Sequence, residues 1–153
     1  MNVTFELDGE ETTVDVPPDR PLRDVLRRDC DATQVKTGCD SGRCGVCTVL
    51  LDGTAVKSCL VVAGTVDGRS VATVAGIEDG TLGRRLQDAF EDHSALQCGY
   101  CTPGLVLSAL AYLEEDPAAD REAIRSALSG NVCRCTGYEK ILDAVVDVAE
   151  AER

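Results

Sequence analysis

The sequence contains no tryptophan, and only two phenylalanines and three tyrosines supply aromatic side chains. Hydrophobic residues still make up 44% of the 153 positions, so the core has to be built mainly from valine, leucine, alanine and isoleucine. Two small aliphatic cores of this kind would be only marginally stable on their own. We therefore expect bound metal to supply stability that side-chain packing does not.

Histidine is almost absent, since His93 is the single residue of this type. A Rieske cluster needs two histidine ligands, so that class of centre is excluded. The sequence also shows no nucleophile–base pair, no phosphate-binding loop and no signature of a substrate pocket. His93 falls at the end of a predicted helix, where we expect a surface residue. We therefore expect no substrate chemistry on this chain itself.

Basic residues are scarce, because 15 Lys and Arg stand against 27 Asp and Glu for a formal net charge of −12. A chain with this charge repels nucleic acid and anionic membranes, so we expect neither as a partner. No apolar stretch approaches the roughly 20 residues needed to span a bilayer. Residues 1–7 lack the basic and apolar regions of a signal peptide. These absences predict a soluble, cytoplasmic protein.

Cysteine, in contrast, is abundant, and eight of the nine cysteines fall into two quartets. The first quartet consists of Cys39, Cys44, Cys47 and Cys59. The second quartet consists of Cys98, Cys101, Cys133 and Cys135. Four thiolates can hold one zinc ion or one iron–sulfur cluster, so the chain can carry two such centres. The tight spacing and the missing signal peptide argue against a disulfide framework.

The first quartet has the spacing C-x4-C-x2-C followed by a distant cysteine, which is the plant-type [2Fe–2S] pattern. A zinc ribbon would use paired C-x2–4-C knuckles instead. Gly38, Gly42 and Gly45 accompany the three clustered cysteines, where a loop has to bring backbone N–H groups close to the sulfurs. The first quartet therefore predicts a [2Fe–2S] cluster rather than zinc, and such a cluster points to electron transfer.

The spacing of the second quartet is less diagnostic, because C-x2-C with a later C-x-C fits either iron–sulfur or zinc. Cys101 precedes Pro103 and a predicted helix, and Cys135 precedes the last predicted helix. Free N–H groups and the dipole at a helix N-terminus favour an anionic centre, but they suit both alternatives. The odd cysteine, Cys30, lies at the end of the first predicted helix and is interpreted as a small buried hydrophobe.

Hydrophobic periodicity divides the chain into two predicted domains, residues 1–76 and 77–153. The first should contain a β-hairpin around Asp8-Gly9 and a short helix at 21–28, with Asp19 as a possible N-cap. The remaining strands of this domain are predicted at 47–51, 55–59 and 70–74. The second domain is predicted to be all-α, with helices at about 82–93, 104–115, 121–128 and 138–150. Asp120 is expected to cap the third of these helices.

Three motifs in a fixed order carry a resemblance to a known family. They are residues 38–49 (GCDSGRCGVCTV), 97–104 (QCGYCTPG) and 130–138 (GNVCRCTGY). Together they closely resemble the small iron–sulfur subunits of the xanthine oxidase family of molybdenum hydroxylases, such as those of carbon monoxide dehydrogenase and bacterial aldehyde oxidoreductases. The resemblance implies an α+β fold: a plant-type ferredoxin-like (β-grasp) domain, then a four-helix domain in which the second quartet binds a second [2Fe–2S] cluster.

The resemblance also implies partners. In the family, the second cluster lies next to the pterin of the molybdenum cofactor, which a large partner subunit holds. The residues matching Gln97 and Cys135 approach that pterin, and a medium subunit usually carries FAD. The implied function is an electron-transfer subunit that relays electrons from the molybdopterin site through two [2Fe–2S] clusters towards FAD. A free-standing two-cluster ferredoxin and a zinc-stabilised interaction module are the alternatives.

Overall fold

Residues 1–152, the part of the chain that the computed structural model describes, form one five-stranded sheet and five α-helices. The strands are β1 Asn2–Leu7, β2 Glu10–Asp15, β3 Thr48–Leu51, β4 Thr54–Lys57 and β5 Ser70–Ala72. The helices are α1 Leu22–Arg28, α2 Leu82–Asp92, α3 Thr102–Glu115, α4 Arg121–Ala127 and α5 Glu139–Ala151. The predicted α+β class, with strands first and a helical half second, is confirmed.

The sheet has the strand order β2-β1-β5-β3-β4 and is mixed. β1 pairs with β2 and β3 pairs with β4 in antiparallel hairpins, whereas β5 lies parallel to β1 and antiparallel to β3. Asp8-Gly9 and Asp52-Gly53 turn the two hairpins, and all four residues have positive φ angles. Two-residue hairpin turns of type I′ require that conformation at both positions, which is why the Asp-Gly pairs predicted them correctly.

The core of the first half lies between α1 and the sheet. Leu22, Val25 and Leu26 of α1 are fully buried and pack against strand residues such as Phe5 and Val49. The i, i+3, i+4 spacing of these three positions puts them on one face of the helix, so burying that face fixes the position of α1 on the sheet. The segment that follows α1 carries the first three cysteines of the first quartet.

The predicted N-cap of α1 is wrong. Pro21, not Asp19, occupies the cap position, and no side chain caps the helix. Backbone carbonyls take over this role, because the N–H of Leu22 donates to Val61 O at 2.7 Å and that of Arg23 donates to Ser58 O at 3.1 Å. The start of α1 is therefore tied to the segment around Cys59 rather than to its own side chains.

The helical half is built around α3, which has apolar residues nearly all round and is largely buried, as predicted. Its core includes Leu50 of β3, so the helices pack directly against the sheet. Asp120 accepts a hydrogen bond from the N–H of Ala123, which confirms its predicted role as the N-cap of α4. Within residues 1–152, no helix combines the length and the apolar character needed to cross a bilayer.

Candidate metal centres

The β3–β4 hairpin brings together the second half of the first quartet. Cys47 immediately precedes β3, and Cys59 follows β4 by two residues. Pairing of Thr48 with Lys57 sets the register, and the N–H and hydroxyl of Ser58 both donate to Cys47 O, at 3.3 and 2.6 Å. Cysteines 12 positions apart in the sequence therefore meet at one end of a short hairpin.

The loop that carries the first half of the quartet turns its backbone donors towards sulfur. The N–H groups of Arg43 and Cys44 both lie 3.3 Å from the Cys39 sulfur. Hydrogen bonds from the backbone N–H groups of Cys44 and Ser41 lower the pKa of the Cys39 thiol to about 5. The loop therefore stabilises a thiolate, which is the form that binds metal.

Side-chain contacts divide the first quartet into two pairs. Burial raises the pKa of Cys44, whose thiol also forms a hydrogen bond with that of Cys39. Burial likewise raises the pKa of Cys59, and its thiol contacts Cys47. Residues 1–152 contain no group of three or more His, Cys, Asp or Glu side chains placed to hold a metal ion. A two-iron cluster with four thiolates requires two per iron, and the two pairs match that donor set.

The second quartet is brought together by two helical hairpins and is also paired. The Cys98 and Cys135 sulfurs lie 3.5 Å apart. Burial and, next to it, a hydrogen bond with the Cys133 side chain raise the pKa of Cys101 to about 12. Burial by itself would raise the pKa of Cys133, but hydrogen bonds from Thr136, from the Cys135 backbone and with the Cys101 side chain together lower it. The donor set again fits a two-iron cluster with two thiolates per iron.

Tyr138 braces the loop that carries Cys133. Its hydroxyl accepts a hydrogen bond from Cys133 N at 2.7 Å and donates one to Asn131 O at 3.1 Å. The residue has a φ of +72° at the start of α5. Sequence reasoning placed Tyr138 beside the second quartet but missed this role, which the Gly137-Tyr138 pair before a helix could have indicated.

One side of the second quartet is open to solvent. Cys98 and Cys135 are exposed, and the Gln97 amide Nε2 donates to Cys135 O at 3.0 Å. The two residues that the family resemblance associates with the pterin therefore lie together at the surface. Exposed apolar side chains nearby in the sequence are those of Leu96, Tyr100 and Val132.

The two cysteine loops touch each other directly. The N–H of Val132 donates to Cys44 O at 2.8 Å, and the buried amide of Asn131 donates to Gly45 O at 3.1 Å. Cys44 belongs to the first quartet, and Val132 precedes Cys133 of the second. One hydrogen bond thus joins the backbones of the two candidate centres.

Glycine makes this contact possible. A Cβ atom on Gly104 would lie 2.4 Å from Gly45 O, and one on Gly45 would lie 2.5 Å from Gly130 O. Contacts this short do not occur, so any other residue would push the loops apart. Sequence reasoning included Gly45 because it lies between cysteines, but it gave Gly104 no role beyond its place in the 97–104 motif.

The remaining cysteine and the single histidine lie outside both quartets. Cys30 follows α1 and packs, half-buried, against the core of the first half. His93 ends α2, and its Nε2 lies 3.0 Å from the Asp147 carboxylate of α5. Cys30 is therefore only partly buried, not fully buried as predicted, whereas His93 lies at a helix end as predicted.

Known proteins match both halves of the chain. Residues 5–79 match the family described as 2Fe-2S iron-sulfur cluster binding domain, and residues 73–146 match the family described as [2Fe-2S] binding domain. The nicotine 6-hydroxylase small subunit of Paenarthrobacter nicotinovorans is 48% identical over 147 residues, which cover 96% of this chain and 88% of that protein. The xanthine dehydrogenase iron-sulfur-binding subunit of Escherichia coli O157:H7 is 41% identical over 96% of this chain and 93% of its own length.

Solved structures give the same result. Quinoline 2-oxidoreductase from Pseudomonas putida 86 superposes with a TM-score of 0.92 at 44% identity, covering 100% of this chain and 96% of that chain. The aldehyde oxidoreductase from Desulfovibrio desulfuricans ATCC 27774 gives a TM-score of 0.90 at 41% identity, covering 98% of this chain but 17% of that longer chain. The chain therefore belongs to the small iron–sulfur, electron-transfer subunits of the xanthine oxidase family of molybdenum hydroxylases.

Proposed function

We propose that this chain holds two [2Fe–2S] clusters and relays electrons between them inside a molybdenum hydroxylase complex. In the first centre, Cys39 and Cys44 would hold one iron and Cys47 and Cys59 the other. In the second, Cys98 with Cys135 and Cys101 with Cys133 would form the two pairs. The side-chain pairing, the helix N-terminus behind Cys101 and the two matched cluster-binding families support this assignment. When bound, each cluster would supply a one-electron redox site.

The observation that carries the proposal is the hydrogen bond from Val132 N to Cys44 O. It joins the peptide that leads to Cys133 with the backbone of a first-quartet cysteine. Electronic coupling through covalent bonds and a short hydrogen bond exceeds coupling across an open gap. A Cβ atom on Gly104 would clash with Gly45 O, so the two backbones meet here with no side chain between them. The chain thus supplies a short, rigid link between the two centres.

The open side of the second quartet supports the direction of the relay. Cys98, Cys135 and Gln97 are exposed, so this face would contact the molybdopterin held by a large partner subunit. The first centre would then pass electrons on to FAD in a medium subunit. The name "small subunit" of the nicotine 6-hydroxylase relative supports such partners. The aldehyde oxidoreductase also supports partners for this chain, because there the matched part makes up only 17% of one longer chain.

The metal content of the isolated complex and its size in gel filtration test the proposal against its alternatives. The complex isolated through a tag on this chain should contain about four iron atoms and matching acid-labile sulfide per copy of the chain. About two zinc atoms per chain would instead indicate a zinc-stabilised interaction module. A coloured species eluting alone at 16.2 kDa in gel filtration would indicate a free-standing ferredoxin.

A further inference from the structure

Arg23 of α1 is a buried arginine beside the first cysteine loop. Only 7% of the residue is exposed. Its guanidinium binds Asp24 through Nε at 2.9 Å and Nη2 at 2.6 Å, and its Nη1 binds the carboxylate of Asp40. A buried charge is costly unless it is paired. The cysteine pattern does not require an arginine on this helix, so the ion pair with Asp40 calls for an explanation of its own.

The position of Asp40 makes this ion pair relevant to the first centre. Asp40 directly follows Cys39 and has a φ of +54°, in the left-handed region that few non-glycine residues adopt. Its side chain is 68% exposed, so burial does not hold it in place. The backbone N–H of Arg23 also donates to Ser58 O, next to Cys59. Arg23 thereby joins the segments that carry two different cysteines of the first quartet.

The ion pair between Arg23 and Asp40 also acts on the first centre electrostatically. A [2Fe–2S] cluster with four thiolates is anionic, and its reduction adds one more negative charge. A carboxylate one residue from Cys39 opposes that step, and a neighbouring guanidinium offsets it. We propose that Arg23 is a positioning residue of the first centre, which holds the Cys39 turn through Asp40 and keeps the reduction potential of this centre high enough to accept electrons from the second. This inference rests on the proposed function, because it requires a cluster in the first quartet.

The test compares the potentials of charge variants in the native complex, isolated through a tag on this chain. EPR-monitored redox titration would follow both clusters separately. In R23Q, the carboxylate of Asp40 loses its partner, so at a fixed potential the reduced-to-oxidised ratio of the first cluster should fall about tenfold, or about 59 mV for one electron. In D40N, the ratio should rise, and in the R23Q/D40N double variant it should return towards the wild-type value.

The control is R28Q, which removes the same charge from an exposed position on the same helix. It should leave both potentials unchanged, and the potential of the second cluster should stay constant in every variant. If R23Q does not assemble the first cluster, R23K and D40N still test the inference. The reduction potential of the first cluster should stay near the wild-type value in R23K and should rise in D40N.

Two results would overturn the inference. Shifts of the same sign in R23Q and D40N would show that the contact only maintains the fold, and the absence of any shift would show that it does not act on the cluster. Failure of the proposed function is a different result. It would appear as a wild-type complex with no signal from a first cluster, and it would remove the basis of this inference as well.

Discussion

Gly104 lets the first cysteine loop approach α3 closely because it has no side chain. A Cβ atom there would lie 2.4 Å from Gly45 O, so the first cysteine loop rests on the backbone of α3. Gly45 in turn accepts the amide hydrogen bond of Asn131. The contact between the two cysteine loops therefore depends on a close approach of their backbones. The Asn131 side chain adds a hydrogen bond to it.

The variant G104A tests this contact by the sign of its effect. Alanine in an unobstructed helix would stabilise the protein by about 1 kcal/mol. Here the clash should instead destabilise it by about 1–3 kcal/mol and slow electron transfer between the clusters. Thermal unfolding and rapid-freeze EPR of the complex measure the two effects. S108A, on the same helix, is the control and should change neither. A more stable G104A would contradict the proposed contact.

The variant C135A tests which cysteines bind which cluster. C135A should remove the second cluster and stop turnover of the complex, while the EPR signal of the first cluster remains, since the quartets share no cysteine. C30A is the matched control, because Cys30 packs against the core outside both quartets, and it should retain both signals. Loss of the first signal in C135A, with the second intact, would show that the grouping is wrong.

The Tyr138 hydroxyl helps to position the loop that carries Cys133. Y138F would leave Cys133 N and Asn131 O without their partner, and an unsatisfied group of this kind costs about 1–3 kcal/mol. We expect the second cluster to be lost faster to an iron chelator, with the first unaffected. Y112F, on α3, is the control. Equal loss of both clusters in Y138F would contradict a local role.

The elements differ in how well the sequence predicted them. The Asp-Gly turns and the Asp120 cap were predictable because each depends on neighbouring residues alone. The start of α1 was not, since the carbonyls of Ser58 and Val61, more than 30 residues away, satisfy its N–H groups. The strand predicted at 70–74 ends at Ala72 for a similar reason: Thr73 is held by the carboxylate of Asp8.

The same distinction holds for the site. Cysteine spacing predicted two quartets, and within each quartet the structure brings cysteines into contact as pairs. It could not predict the contacts between the two halves, such as that of Val132 with Cys44, or the ion pair of Arg23 with Asp40. Those contacts join residues 17 and 88 positions apart, and no local pattern marks either of them.

For the whole molecule, the net charge of −12 makes exposed apolar side chains conspicuous. Leu96 is 37% exposed next to Gln97 and Cys98, on the side proposed to face the molybdopterin subunit. L96E should reduce the amount of this subunit recovered with the tagged chain, because burying an unpaired carboxylate in an interface is costly. Both clusters should remain.

Leu60 supplies the control for this prediction. It is 65% exposed and follows Cys59 of the first quartet. L60E should leave recovery of the molybdopterin subunit unchanged, since it alters the other end of the proposed relay. Equal recovery with wild type, L96E and L60E would argue against docking through the face around Leu96.

The central claim is that the two cysteine quartets bind two separate [2Fe–2S] clusters. Quantitative EPR of the isolated complex during stepwise reduction with dithionite tests it most directly. We predict two distinct [2Fe–2S] signals, each integrating to about one spin per copy of this chain. A single such signal at full reduction, or a folded protein with zinc in either quartet and no second signal, would contradict the claim.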